Sequence, residues 1–183
     1  MRYKRIDLAV AACNRLGRRL LVIGRGEEAE TLRKMAGPRI HFLGRVSDGE
    51  VRAYLRKCRA LIFPGEEDFG LVPIEANACG RPVIALARGG ALETLRGIGP
   101  DWPPLSDPTA VFFSDQTEDS LCRALEWFEA RADFFVPAVI QNHAARFDTS
   151  RFLREFQAYL LRKLSRHQQS SRDSRALSAG HVH

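Results

Sequence analysis

No stretch of the sequence approaches the roughly 20 apolar residues that a helix needs to cross a bilayer. The basic N-terminal run MRYKRIDLAVAACNRLGRR holds only a short amphipathic pattern interrupted by Asp7, so it does not read as a targeting segment. Cysteine is sparse and scattered: Cys13, Cys58, Cys79 and Cys122 form no CxxC pair and have no histidine at metal-ligand spacing. That pattern argues against a zinc ribbon or a disulfide framework and fits four reduced thiols used as helix packing. These absences place the chain in the cytoplasm as an expectation. No internal repeat is visible. A complete GxGxxG is lacking too: Gly24-Arg25-Gly26 is followed by Ala29, and the triplet reads as the turn that opens a helix.

What is present is ordinary for a folded domain. The 183 residues are 45% apolar and 27% charged, enough for one domain with a substantial core. The net charge of +6 is concentrated at one end. From position 151 onward, Arg151, Arg154, Arg162, Lys163, Arg166, Arg172 and Arg175 face only Glu155 and Asp173. The remainder is almost neutral, which speaks against a nucleic-acid-binding face across the domain. The basic end leaves room for peripheral contact with an anionic membrane. The polar, aperiodic segment 165–183 reads as a disordered tail following a domain at 1–164.

Apolar spacing predicts a helix from Ile6 to about Gly17, then LLVIG (20–24) as a buried parallel strand. A helix over 26–37, the strand IHFLG (40–44) and a helix opened by a Ser47/Glu50 capping box follow. ALIFP (60–64) is a third strand, VPIEANACG (72–80) a helix, PVIAL (82–86) a strand and GGALETL a short helix. After a Pro-rich loop at 100–108 come the strand AVFF (110–113), a helix capped by Thr117, and helices near 137–146 and 150–164. Strands alternating with helices specify an α/β fold, a doubly wound parallel sheet of Rossmann type with C-terminal helices. In such sheets ligands lie outside the carboxyl ends of the strands. Gly24 to Gly26, Gly44-Arg45, Gly65 to Gly70 and Arg88 to Gly90 all fall on that edge.

The window FPGEEDFGLVPIEANACGRPVIA (63–85) carries the chemistry. Glu67 stands on a loop at a strand end, and Glu75, eight positions on, falls in the expected first turn of the next helix. Gly70 between them allows close backbone approach. The first amides of that helix favour an anion such as a diphosphate, and a carboxylate there suits vicinal ribose hydroxyls. Singly, Glu67 is one acid of a solvated cluster with Glu66 and Asp68, and Glu75 is a helix charge set against the dipole. Their spacing and the intervening glycine make the pair informative. His41 reads as a packed or edge histidine and Cys79 as small-residue packing.

This window resembles the E-x7-E signature of the retaining glycosyltransferases of family 4 (group 1), and specifically the C-terminal, donor-binding domain of their GT-B fold. The blocks YKRIDLAVAACNRLG, LVIGRGEE, HFLGRVSD, EDFGLVPIEANACGRPVIA, RGGALETL and FFSDQTEDSL follow the family's order from Tyr3 to about Leu164. The YKRID and GGALET forms are most similar to O-antigen mannosyltransferases. The resemblance implies that Glu67 contacts the transferred sugar and Glu75 the ribose. It implies that Lys4 neutralises the departing diphosphate together with an arginine a few residues upstream. Phe69, Gly70 and Leu71 then touch sugar and phosphate through the backbone, Gly89, Gly90 and Glu93 face the donor, and Arg45 and Val46 lie in the nucleobase loop.

The implied reaction is hexosyl transfer with retention from a nucleoside-diphosphate sugar (GDP-mannose first, UDP-glucose next) to a glycan or lipid-linked acceptor at the inner face of the cell membrane. No metal or other cofactor is expected, in keeping with the lack of any Asp-x-Asp pair. The family's second domain opens with a strand and Gly-Arg before the lysine, whereas this sequence opens MRYKRID. The expectation is therefore an N-terminally truncated domain that works with a separate N-terminal domain. LLVIG and ALIFP would then lack a shared neighbour, and Phe152, Phe156, Tyr159 and Leu160 would be partly uncovered. Two other readings are a non-catalytic nucleotide-sugar-binding subunit, or remnant of a split gene, and a sugar-nucleotide epimerase. The E-x7-E spacing disfavours the epimerase.

Overall fold

The computed structural model describes residues 2–179, with side chains described for 3–167. In chain order its elements are α1 (Ile6–Arg15), β1 (Leu20–Ile23), α2 (Ala29–Met35), β2 (Ile40–Gly44), α3 (Asp48–Lys57), β3 (Leu61–Phe63) and α4 (Leu71–Ala78). Then come β4 (Val83–Leu86), α5 (Ala91–Thr94), β5 (Gly97–Ile98), β6 (Ala110–Phe113), α6 (Glu118–Ala130), α7 (Pro137–Ala144) and α8 (Thr149–Ala179). The chain divides into two units, 1–145 and 146–183.

The first unit is the expected parallel α/β fold, Rossmann-like, with helices flanking the strands. Its strands form a two-stranded ladder, β1-β2, and a four-stranded sheet ordered β3-β4-β6-β5, every ladder parallel. Among the described residues no strand lies between β1 and β3, so LLVIG and ALIFP have no shared neighbour, as anticipated. The cost shows in burial. All four residues of β4 and of β6 are buried, while Leu20, Leu21, Val22, Leu61 and Ile62 are only half-buried.

Strand period explains the core. Ile84, Leu86, Val111 and Phe113 point to one face, packing with Leu8 and Ala12 of α1, Leu121, Leu125 and Phe128 of α6, and Ile140 of α7. Val83, Ala85, Ala110 and Phe112 point to the other, packing with Leu55, Ala76, Ala91 and Leu95. Burial on both faces is why these strands are continuous apolar runs rather than alternating ones. Each such large side chain contributes about 1.5–3 kcal/mol by leaving water.

Several boundaries follow local chemistry. Ser47 and Glu50 form the anticipated capping box, the Ser47 amide donating to Glu50 Oε2 at 2.9 Å and the Glu50 amide to Ser47 Oγ at 3.3 Å. Thr117 Oγ1 accepts from the Ser120 amide at 3.3 Å and opens α6. The helix expected over 26–37 shortens to Ala29–Met35, because the opening Gly-Glu-Glu forms a turn. β5 was not anticipated: Gly97-Ile98 is too short to show a period, and it pairs with β6 because Gly97 has no side chain to strike the Phe112 ring.

The helix expected over 150–164 spans Thr149–Ala179. Residues 180–183 lie outside the described residues. The absence of Gly or Pro between 149 and 179 lets the helix continue through a polar stretch. Within the second unit, Phe152, Phe156, Tyr159 and Leu160 are exposed. No helix among the described residues is long and apolar enough to cross a membrane.

The four cysteines are free, and burial raises the Cys13 thiol to about 11, since desolvation disfavours the thiolate. Because the folded-state value lies above that of an exposed thiol, the folded state holds the proton more firmly, and this contribution declines as pH rises through that range. Cys13 is expected to resist a thiol reagent at pH 8 in the folded chain and to react once denaturant opens it. Mass spectrometry of labelled peptides across a urea series measures this.

Candidate functional site

The site is assembled where three backbone segments touch. β3 ends at Phe63, and the chain passes through buried Pro64 and Gly65 into the acidic loop. A Cβ at Gly65 would stand 2.6 Å from the Tyr3 carbonyl oxygen and 2.7 Å from Lys4 Cα, so the turn before α1 lies directly on this glycine. Glu67, two residues further, meets Lys4: Nζ to Oε1 is 3.0 Å, with the lysine side chain 40% and the glutamate 19% exposed. Burial works against the Lys4 ammonium, but the hydrogen bond and charge of Glu67 outweigh it, and the Lys4 pKa is raised. With a raised value, the favourable pairing is present below the ordinary lysine range and lost only as pH climbs above it.

The third segment is Gly89-Gly90, after β4. The Gly90 amide donates to the Glu67 carbonyl at 2.8 Å. A Cβ at Gly89 would lie 2.6 Å from that same carbonyl oxygen, and one at Gly90 would strike Asp68 O and lie 2.5 Å from Phe69 Cα. The two glycines therefore clamp the Glu67–Phe69 backbone, and α5 carries Glu93 onward, exposed to solvent.

From Phe69 the chain turns at Gly70, whose φ of +76° is a left-handed conformation suited to glycine. α4 begins at Leu71 with no side-chain cap. By helix geometry the amides of Leu71 and Val72 then have no acceptor within the helix, and Pro73 has none to offer. Leu71 is 65% exposed, so this helix start faces solvent beside Glu67. Farther along, Asn77 Nδ2 donates to Arg81 O at 2.9 Å and Thr109 O at 3.3 Å, tying α4 to the sheet. The sequence-based placement of Glu75 needs correction. Because α4 starts at Leu71, Glu75 is its fifth residue and opens the second turn, leaving no acid in the first. It remains exposed.

Lys4, Glu67, Phe69, Gly70, Leu71, Gly89 and Gly90 are thus gathered into one neighbourhood, with Glu75 and Glu93 on the helices that leave it. Arg45 (exposed) and Val46 (half-buried) stand apart, at the carboxyl end of β2 before α3. A cavity of about 480 Å³ lies among Gly24, Arg25, Gly26, Arg33, Phe42 and Gly44, beside the loops after β1 and β2. None of the anticipated site residues lines it, so the concavity beside the β1–β2 ladder and the Lys4–Glu67 pair after β3 are separate features. Among the described residues, no group of three or more His, Cys, Asp or Glu is placed to hold a metal.

Sequence reading missed Arg5 and Gln116. Arg5 is the one described non-glycine residue with positive φ (48°), a conformation that costs about 1–2 kcal/mol. Its guanidinium holds Asp7 and Gln116. Both residues fall inside quoted blocks, YKRID and FFSDQTEDSL, but nothing in their spacing reveals a contact across 111 positions.

With this geometry in place, comparison with known proteins is informative. The family model for glycosyl transferases group 1 matches residues 1–127, and the chain belongs to that family. It is 32% identical over 122 residues to human alpha-1,3/1,6-mannosyltransferase ALG2, covering 63% of this chain and 28% of that protein. Among solved structures, sucrose-phosphate synthase from Thermosynechococcus elongatus superposes with a TM-score of 0.74 at 24% identity, over 91% of this chain and 44% of that one. Anabaena Alr3699/HepE, solved in complex with UDP-glucose, superposes with a TM-score of 0.71 at 19% identity, over 87% and 46%. These likenesses show a GT-B-type fold. The chain spans less than half the length of each of these relatives.

Gly65→Ala is expected to destabilise the first unit by about 1–3 kcal/mol, since a methyl cannot enter against backbone without shifting it. Urea denaturation measures the loss. A Gly49→Ala control, where the only neighbour within 4 Å is Ser47 Oγ at 3.9 Å, is expected to change stability little.

Proposed function

We propose that this chain is the nucleotide-sugar-binding part of a retaining, metal-independent glycosyltransferase of the E-x7-E type. The observation that carries the reading is the Lys4–Glu67 pair at 3.0 Å beside the uncapped start of α4. A nucleoside-diphosphate sugar brings two negative charges and several vicinal hydroxyls. The Leu71 and Val72 amides and the positive end of α4 suit its phosphates. Lys4 adds a full charge where negative charge grows as the diphosphate departs, stabilisation that acts best when the cation is held in advance. Glu67, half shielded and ion-paired, accepts hydrogen bonds from sugar hydroxyls, and Glu75 accepts from the ribose. Lys4 takes the charge-neutralising role that a divalent cation held by an Asp-x-Asp pair fills in other transferases.

Retention follows if the acceptor hydroxyl attacks on the face the diphosphate leaves. The donor sugar is proposed as mannose from GDP-mannose, with UDP-glucose next; the human relative's name states a mannosyl transfer, and the Anabaena structure holds UDP-glucose. The acceptor is proposed as a glycan or lipid-linked glycan, presented against this surface by a further domain, in the cytoplasm at the membrane face. Arg45 and Val46, on the loop between β2 and α3, are assigned to the nucleobase.

Calorimetric titration with GDP-mannose, UDP-glucose and the free diphosphates tests this. One donor is expected to bind, and Glu75→Ala or Lys4→Ala to weaken it about 10- to 100-fold, the range for a hydrogen bond to a charged group. A folded chain that binds none of these ligands contradicts the reading.

A further inference from the structure

Lys4 and Glu67 belong to segments far apart in sequence, and a lysine 40% exposed has rotamers that lead away from its partner. Something must fix the backbone from which it projects. Arg5, the next residue, sits in the left-handed region at the entry to α1, without a side-chain cap. Its guanidinium is fully oriented. Nε donates to Asp7 Oδ1 at 3.1 Å, Nη2 to Asp7 Oδ2 at 3.0 Å, and Nη1 to Gln116 Oε1 at 3.0 Å. Gln116, on the connection between β6 and α6, uses the other end of its amide: Nε2 donates to the Pro64 carbonyl at 3.0 Å. Pro64 immediately precedes Gly65, the residue on which the Tyr3–Lys4 backbone rests.

We propose that the Asp7–Arg5–Gln116–Pro64 chain is a clip that positions Lys4 against Glu67, with Arg5 and Gln116 as positioning residues for the donor site; this rests on the function proposed above. Three features favour a clip over a direct ligand. Asp7 neutralises Arg5, so the clip adds no net charge to compete with Lys4 for Glu67 or for an anionic donor. The Gln116 amide is polar in one sense only, its oxygen to the guanidinium and its nitrogen to the carbonyl, so reversal sets donor against donor and acceptor against acceptor. And the two ends of the clip are the two backbone segments that carry the pair.

The test uses the full chain with three readouts: thermal stability, calorimetric donor affinity, and the Lys4 titration followed by NMR of the labelled Cε. Gln116→Ala is expected to lower donor affinity about three- to tenfold, the range for a neutral hydrogen bond, and to bring the Lys4 titration down toward that of a free lysine. Arg5→Gly separates positioning from folding, because glycine accepts the left-handed backbone without strain. It is expected to keep stability near wild type, the relieved strain offsetting the lost hydrogen bonds, while lowering donor affinity and losing the raised Lys4 titration.

If wild type binds donor, Lys4→Ala weakens binding, and both clip variants bind as wild type with unchanged Lys4 titration, the clip is overturned and the donor site stands. If wild type binds no donor while the clip variants still shift the Lys4 titration, the functional reading fails and the clip stands as a structural device. Affinity that falls only in proportion to stability in both variants also overturns positioning.

Discussion

Everything at the candidate site depends on backbone reaching backbone without side chains between. Gly65 admits the Tyr3–Lys4 turn, and Gly89 and Gly90 admit the Glu67–Phe69 loop. Three loops at the carboxyl edge of the sheet therefore touch through main-chain atoms, and the functional side chains radiate from that junction. The Lys4–Glu67 pair is a consequence of this constraint. On its own, a half-exposed ion pair contributes little to stability; its value lies in where it holds a cation.

That junction is supported by strands whose residues are buried on both faces, β4 and β6, and by α4, fastened through Asn77 to the sheet. The best-buried part of the first unit is thus the four-stranded sheet, and the candidate site lies on the loops leaving β3 and β4. The β1–β2 ladder, with half-buried residues and a cavity beside it, is a separate two-stranded sheet.

Much of this was legible in the sequence. The runs VIAL and AVFF read as strands, the Ser47/Glu50 box marked the start of α3, and the glycines marked the loops that follow the strands. Glu67 and Glu75 could be paired by spacing, and Lys4 through the YKRID block. What could not be read were contacts that sequence distance conceals: Gly65 against Lys4, Gly90 against Asp68, and Arg5 with Gln116. The start of α4 was also misplaced, since the left-handed turn at Gly70 pulls Leu71 into the helix and moves Glu75 to its second turn. The continuation of α8 escaped notice because its sequence beyond Ser165 is polar and shows no apolar period to detect.

The most direct test of the account is backbone amide NMR of the chain titrated with GDP-mannose and UDP-glucose. The account predicts that one donor moves the amides of Gly70, Leu71, Val72 and Gly90, together with those of Lys4 and Glu67. Shifts confined to the cavity at Gly24 to Gly26, Phe42 and Gly44, with the α4 start unmoved, would contradict it.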